Sequence, residues 1–330
     1  MTRTLRQGRG QEGSTDVTQM VKPTRVFKRL MGVAAGAMTA LGGFVGTALA
    51  AQPEPWKIDM QPAVTEVMGD VRWFNHFTLV IVTVIVLLVT ALLGWCVLRF
   101  NAKSNPKPSR TSHNTMIEVV WTLAPILILV VISIPSFRLL YKELEVPAYD
   151  MTVKATGYQW YWGYEYTDEG MEDVVFDSLL IRDEQERKAR AADFKRPESE
   201  YPRLLAVDNE MIVPIGKVVR VQVTGADVIH SFAMPAFGVK VDAVPGRLNE
   251  TWFRADQTGI YYGQCSELCG KDHAYMPIAI RVVEQAQYDK WAEGAKTDVE
   301  GATKELMAAI AASNGTAAVE TPKALELAAR

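Results

Sequence analysis

Residues 79–98 read LVIVTVIVLLVTALLGWCVL, twenty positions without a charge. A helix rises about 1.5 Å per residue, so this run is about 30 Å long, the thickness of a bilayer's hydrocarbon core. Trp73 and Trp95 stand near its ends, where interfacial aromatics belong. Cys96 lies inside the run and needs no role beyond packing. The stretch that follows carries Arg99, Lys103, Lys107 and Arg110 and no acid up to residue 114, which marks a cytoplasmic loop. A second apolar run covers 119–137, interrupted by Pro125 and Pro135, which membrane helices tolerate. The pattern predicts spans over 74–100 and 116–141, joined by a cytoplasmic loop over 101–115. The lead-in over 52–73 and everything after 141 then lie outside.

The first residues agree with that topology. Arg25, Lys28 and Arg29 precede an apolar, small-residue stretch over 30–47, and Ala48-Leu49-Ala50 precedes Ala51-Gln52 as a cleavage site. Residues 1–51 therefore read as a signal peptide. The whole chain of 330 residues has a formal charge of −3, but from residue 52 onward acids outnumber bases by eight. An acidic exported protein does not suit nucleic acid and does suit a basic soluble partner.

After residue 141 the pattern changes to short alternating runs at 151–156, 158–166, 218–224, 250–254 and 278–283, separated by turn residues. Such spacing predicts a β-sandwich or barrel over 142–291. Strict alternation would put Tyr158, Trp160, Trp162, Tyr164 and Tyr166 on one face, too bulky to be all core. Residues 183–200 are highly charged and read as a solvated loop or short helix. Residues 292–330, rich in Ala, Glu and Lys, read as a loosely packed, variable tail.

The chain has three Cys, at 96, 265 and 269, and four His, at 76, 113, 230 and 273. Residues 263–277 read GQCSELCGKDHAYMP, so two thiols four residues apart are followed by His273 and Met276. His230 closes the strand region over 218–229 and adds a second imidazole. A Cys265–Cys269 disulfide would leave His230, His273 and Met276 unexplained. A structural zinc site has no use for Met, and a mononuclear blue-copper site needs one Cys fewer. Two thiolates bridging two coppers, each capped by one His, use every candidate. Met276 is then a weak ligand to one copper, and the backbone carbonyl of Glu267 can serve the other. His76 and His113 have no matching partners and read as loop or interfacial residues.

Residues 230–249 (HSFAMPAFGVKVDAVPGRLN), 262–277 (YGQCSELCGKDHAYMP) and 155–162 (ATGYQWYW) closely resemble subunit II of haem–copper cytochrome c oxidases, over roughly 70–290. The resemblance implies two transmembrane helices followed by an all-β, cupredoxin-like Greek-key barrel holding a mixed-valence dinuclear copper A centre. Cys265 and Cys269 would bridge, His230 and His273 would be terminal, and Met276 and the Glu267 carbonyl would be weak ligands. It further implies that the Glu267 carboxylate binds magnesium at the border with subunit I, and that Trp160 receives the electron from cytochrome c. Glu118 matches the family Glu at the mouth of a proton channel. Glu165, Asp177 and Asp208 match segments of the docking face for cytochrome c. The expected partners are subunit I, with its haems and copper B, subunit III, cytochrome c and membrane lipid. The expected place is the bacterial inner membrane with the barrel in the periplasm. A quinol oxidase subunit II should lack the copper ligands. A nitrous oxide reductase should carry a propeller for which this chain has no room. A copper-delivery module would need no haem-bearing partner. No Cys-x-x-Cys-His sequence exists, so no c-type haem is attached.

Overall fold

The computed structural model of the chain describes residues 53–320 except residue 55, so the leader read over 1–51 lies outside the described residues. Two long helices come first, α1 (Glu66–Arg99) and α2 (Thr115–Leu144). Thr65 caps α1 by accepting from the Met68 N–H, and Asn114 caps α2 by accepting from Met116 and Ile117. Each such cap is worth about 1 kcal/mol. The most apolar stretch of each helix has a mean hydropathy of 2.8 or 2.5, and none of it is buried against protein. A core helix of a soluble protein would hide that surface, whereas these helices present it on every side and need lipid or partner helices to cover it. The first helix begins at Glu66, inside the stretch read as lead-in.

The start of α1 is stitched to the rest of the chain. Val64 N–H donates to the Ala236 carbonyl at 3.2 Å, and Thr65 Oγ1 donates to the Phe237 carbonyl at 2.7 Å. Lys142, near the end of α2, donates to both Glu66 and Asp70 at 2.6 Å. These contacts fix how the helical hairpin meets the domain that follows it.

That domain is a sandwich of two five-stranded sheets. One contains β1 (Met151–Tyr158), β2 (Tyr161–Tyr166), β3 (Val175–Ser178), β5 (Val218–Gly225) and β8 (Asn249–Arg254), in the order β3-β2-β1-β5-β8. The other contains β4 (Met211–Pro214), β6 (His230–Met234), β7 (Val239–Ala243), β9 (Gly259–Cys265) and β10 (Pro277–Val283), in the order β4-β10-β9-β6-β7. Two pairs, β1 with β5 and β4 with β10, run parallel, and the other pairs are antiparallel. The fold class expected from the sequence is therefore the one observed, two apolar helices and then a β-sandwich.

Alternation explains which residues make the core. Along β5 every second residue is buried, with Val219, Val221 and Val223 facing the other sheet. Strand β10 is buried along its whole length because Leu205 and Val207 cover its outer side, packing with Ile260, Tyr262 and Ala279. The aromatic run over 158–166 departs from a single strand. Gln159 and Trp160 form the turn of a hairpin in which Tyr158 pairs with Tyr161. Trp162, Tyr164 and Tyr166 go to the core, while Tyr158 stacks on Tyr161 at 4.8 Å near the surface. Alternation is a rule within a strand and fails across a turn.

Two further expectations change. The charged stretch does hold a short helix, α3 (Glu184–Asp193), but it is not wholly solvated, because its Arg196 sits with Glu200, Glu210 and Arg281 in a largely buried cluster. The loosely packed tail expected over 292–330 is helical as far as residue 320. Helices α4 (Gln285–Ala295) and α5 (Val299–Glu320) bring Leu306 and Met307 into the core beside Trp291, whose indole N–H donates to Thr303 Oγ1 at 3.0 Å. The Ala-rich composition looked loose because two of its few large residues, Leu306 and Met307, carry the packing against Trp291 just before it.

Candidate metal centre

The strand end at Cys265, the following loop and the start of β6 meet at one end of the sandwich. His230 opens β6, after a turn that ends β5 at Gly225, so it starts a strand where the sequence suggested the end of one. Its imidazole is fully buried. Gly157 on β1 crosses directly over the ring, where a Cβ would lie 2.9 Å from its carbons, so only glycine fits there. Cys265 ends β9, paired through Phe232 with β6. The chain then loops through Cys269 to a single 3-10 turn, His273–Tyr275, and re-enters the sheet after Met276.

The thiols of Cys265 and Cys269 are 3.8 Å apart, well beyond the roughly 2.05 Å of a disulfide, and both are free. Around Cys265 Sγ lie His230 Nδ1 at 3.9 Å and the Glu267 carbonyl oxygen at 3.3 Å. Around Cys269 Sγ lie His273 Nδ1 at 3.6 Å and Met276 Sδ at 3.5 Å. Each thiol thus faces one imidazole and one weaker donor. The donor atoms of His230, Cys265 and Cys269 all lie within 4.8 Å of one another, close enough to share metal. Two thiols, two imidazoles, a thioether and a carbonyl form a predominantly soft set suited to copper, and the thioether has no place in a structural zinc site.

The family model described as cytochrome c oxidase subunit II, periplasmic domain, matches residues 151–283, and that for the subunit's transmembrane domain matches 53–139. The chain belongs to the cytochrome c oxidase subunit II family. A Cereibacter sphaeroides protein named cytochrome c oxidase subunit 2 is 45% identical over 307 residues, covering 88% of this chain and 98% of that protein. A Rickettsia felis protein named probable cytochrome c oxidase subunit 2 is 47% identical over 260 residues, 78% of each chain. The solved periplasmic domain of cytochrome oxidase subunit II from Bradyrhizobium japonicum is 59% identical, covering 47% of this chain and 99% of that one, with a TM-score of 0.40.

In this subunit II chain the two thiols differ electrostatically. Burial opposes ionising Cys265, but the hydrogen bond with His230 and backbone groups of Glu267 and Ser231 outweigh it and draw its pKa down to about 6. Burial and the charge on Cys265 push Cys269 up to about 12. The pair gives up one proton easily and the second only when a cation takes its place.

Three neighbours escaped the sequence reading. Asp227 accepts from His230 Nε2 at 2.9 Å, fixing the ring so that Nδ1 faces the thiols. Burial lowers the pKa of His230, but its bonds to Cys265 and Asp227 outweigh that and leave it raised. Asp227 also accepts from the Gln159 N–H at 2.8 Å, while the Gln159 side chain donates to the Cys269 carbonyl at 2.8 Å. Arg182, just before the charged stretch, reaches the loop at Asp272. An acid three positions before His230 is the one signal in the sequence that pointed this way.

Of the other expected residues, Trp160 and Glu267 lie at the site and the rest lie apart from it. Trp160 is half-buried on the hairpin turn, and its indole N–H donates to the Cys269 carbonyl at 3.2 Å. Glu267 is exposed on the loop. Glu165 pairs with Lys154 at 2.9 Å, and Asp177 is exposed on β3. The half-buried Asp208 carboxylate accepts from the N–H groups of Leu179 and Asn209, both at 2.7 Å. Glu118 lies in the first turn of α2, about 40 Å along the helix from the sandwich.

Proposed function

We propose that this chain is the electron-receiving subunit of a cytochrome c oxidase, holding a pair of coppers between Cys265 and Cys269. The observation that carries the reading is the pairing of donors: His230 and the Glu267 carbonyl beside one thiol, His273 and Met276 beside the other. Bound there, the coppers would supply one-electron redox chemistry. The chain's residues supply the rest. Strands β6 and β9 hold the Cys265 side rigidly, and Asp227 keeps His230 in one orientation. With every position filled by protein donors, no place is left for oxygen, whose reduction belongs to the haems and copper B of subunit I.

Trp160 lies between the surface and the Cys269 carbonyl, which supports its role as the residue that meets cytochrome c. Asp177, with no ion-pair partner among the described residues, and Glu165 would attract that basic partner. Asp208 is already engaged by two backbone N–H groups and contributes charge from a fixed place. The exposed carboxylate of Glu267 would take magnesium at the border with subunit I. Glu118 would serve proton entrance from the cytoplasmic side. The bacterial inner membrane, a periplasmic sandwich, a cleaved leader over 1–51 and a subunit III neighbour complete the reading.

The test is oxidation of reduced cytochrome c by the complex assembled with Cys269→Ser. The reading expects intact haem spectra and assembly with turnover reduced at least a hundredfold, roughly 3 kcal/mol or more in activation free energy. Full turnover would overturn it.

A further inference from the structure

The two histidines that face the thiols are held unequally. His230 opens a strand, is fully buried, and has its outer nitrogen tied to the Asp227 carboxylate. His273 stands on one 3-10 turn between Gly270, whose φ is +129°, and Met276. Two backbone hydrogen bonds shape that turn, His273 N–H to the Gly270 carbonyl at 3.3 Å and Tyr275 N–H to the Asp272 carbonyl at 2.8 Å. Met276 is buried in the core, but Ala274 and Tyr275 are exposed, so packing holds the His273 part of this arm weakly.

What reaches it from outside is Arg182. Its Nη2 donates to the Asp272 carboxylate at 3.0 Å, and its guanidinium carbon lies 5.0 Å from the centre of the Tyr275 ring. Asp272 and Tyr275 lie either side of the His273–Ala274 pair, and Tyr275 directly precedes Met276. One side chain therefore grips both ends of the turn that carries the second imidazole, next to the residue that carries the thioether. A planar guanidinium can meet a carboxylate and an aromatic face together, which an ammonium does poorly.

The brace stands on a fixed base. Ile181 is buried, and its N–H donates to the Ala206 carbonyl at 3.0 Å. Leu180 forms a bridge with Val207, and Asp183 caps α3 through the Glu186 N–H at 2.9 Å. Beyond α3, Arg196 and Glu200 are fastened to Glu210 and Arg281 by ion pairs of 2.6–3.0 Å. Arg281 is on β10, the strand that leaves the metal loop. The guanidinium thus projects from a shelf bolted to the same strand that its target loop enters.

The geometry points to Arg182 as a positioning residue for the metal centre, bracing the arm that carries His273 and Met276. It supplies from outside the restraint that Asp227 supplies directly to His230. The inference rests on the reading of the six donors as a two-copper site. It gives the charged stretch, which begins one residue after Arg182, a task, which is to anchor the residue that braces the metal loop.

The measurement is the rate at which a chelator strips copper from the full-length chain in its assembled complex. Arg182→Ala should begin with the wild-type copper content and release it about five- to tenfold faster, the factor an exposed ion pair plus an exposed cation–π contact can supply. Arg182→Lys, which keeps the charge and loses the fork, should fall between. Asp272→Asn, which spares the Tyr275 contact, should release copper faster than wild type but no faster than Arg182→Ala, and the double variant should be no faster than Arg182→Ala alone, because the ion pair is already lost there. This non-additivity separates a brace from general loosening. Should Arg182→Ala fail to assemble, Asp272→Asn carries the same test with the fold undisturbed. A wild-type release rate in Arg182→Ala, or in Asp272→Asn where that variant carries the test, overturns the brace while leaving the copper reading in place. So do strictly additive effects in the double variant. A wild-type chain that holds no copper pair overturns both.

Discussion

Trp160 meets the metal loop through its hydrogen bond to the Cys269 carbonyl and the Lys271 ammonium 5.6 Å from its ring, and it carries no charge, so on the proposed reading docking and electron transfer should separate at this residue. Trp160→Ala should leave most of the electrostatic attraction for cytochrome c in place while slowing transfer within the docked complex at least tenfold. Flash-induced reduction in preformed complexes, run beside a binding titration, distinguishes the two. Weak binding with normal transfer once bound would make Trp160 a docking contact only. The residues that face one another at the thiols were legible in the sequence because five of the six lie within residues 265–276, and the chain offers few His or Cys besides. Asp227, Gln159 and Arg182 were not legible. Each meets the site only after a turn or a distant segment folds back, and an acid, an amide or an arginine at a loop has many ordinary uses. Trp160 was singled out by resemblance, but strand alternation put it on the wrong kind of element. The hairpin turn at Gln159–Trp160 has neither Gly nor Asn to announce it.

The charged stretch and strands β4 and β10 meet at a buried group of four charges. Burial alone would raise the pKa of Glu210, but Arg196 and Arg281 outweigh it and hold the carboxyl down at about 2, against an ordinary value of 4.5. A carboxyl depressed in the fold adds stability that is fully present above its unfolded value. That stability is lost as pH falls from about 4.5 towards about 2. Glu210→Gln leaves two arginines with half their compensation and should cost about 3–5 kcal/mol at pH 7, as removal of one partner from a buried pair does. The wild-type thermal midpoint should drop steeply across that acid window and the variant's should not. Parallel curves would show that the cluster contributes nothing to folding. From sequence this stretch reads as solvated, because eleven of its eighteen residues over 183–200 are charged and their partners lie far along the chain, at Glu210 just before β4, at Arg281 on β10, and at Glu300 and Lys304 on α5. The missed strands have a different cause. Strands β3 and β4 are four residues each and β6 and β7 only five, β6 opens on a candidate metal donor, and β9 carries two glycines and ends on Cys265, which makes it look like a loop.

At the scale of the molecule, two helices with uncovered apolar surfaces are joined by a basic loop, tied to each other through Lys142, and fastened to a sandwich through Val64 and Thr65. Membrane-impermeant reagents should reach a cysteine placed at Lys107 only from the cytoplasmic face, and mature protein isolated from membranes should begin close to Ala51 or Gln52. Labelling of Lys107 from the outer face would reverse the topology. The spans were legible because twenty uncharged residues leave few choices, whereas the packing of α4 and α5 depends on Trp291, Leu306 and Met307 finding one another. All of this architecture serves one arrangement, two thiols 3.8 Å apart with a different imidazole beside each. The most direct test is an electron-spin-resonance spectrum, with copper counted, of the full-length chain purified in its complex. The account predicts two coppers bound by this chain and a signal from one electron shared equally between them. It predicts that Cys269→Ser removes that signal. A single copper with a mononuclear spectrum, or a Cys265–Cys269 disulfide in the active complex, would contradict it.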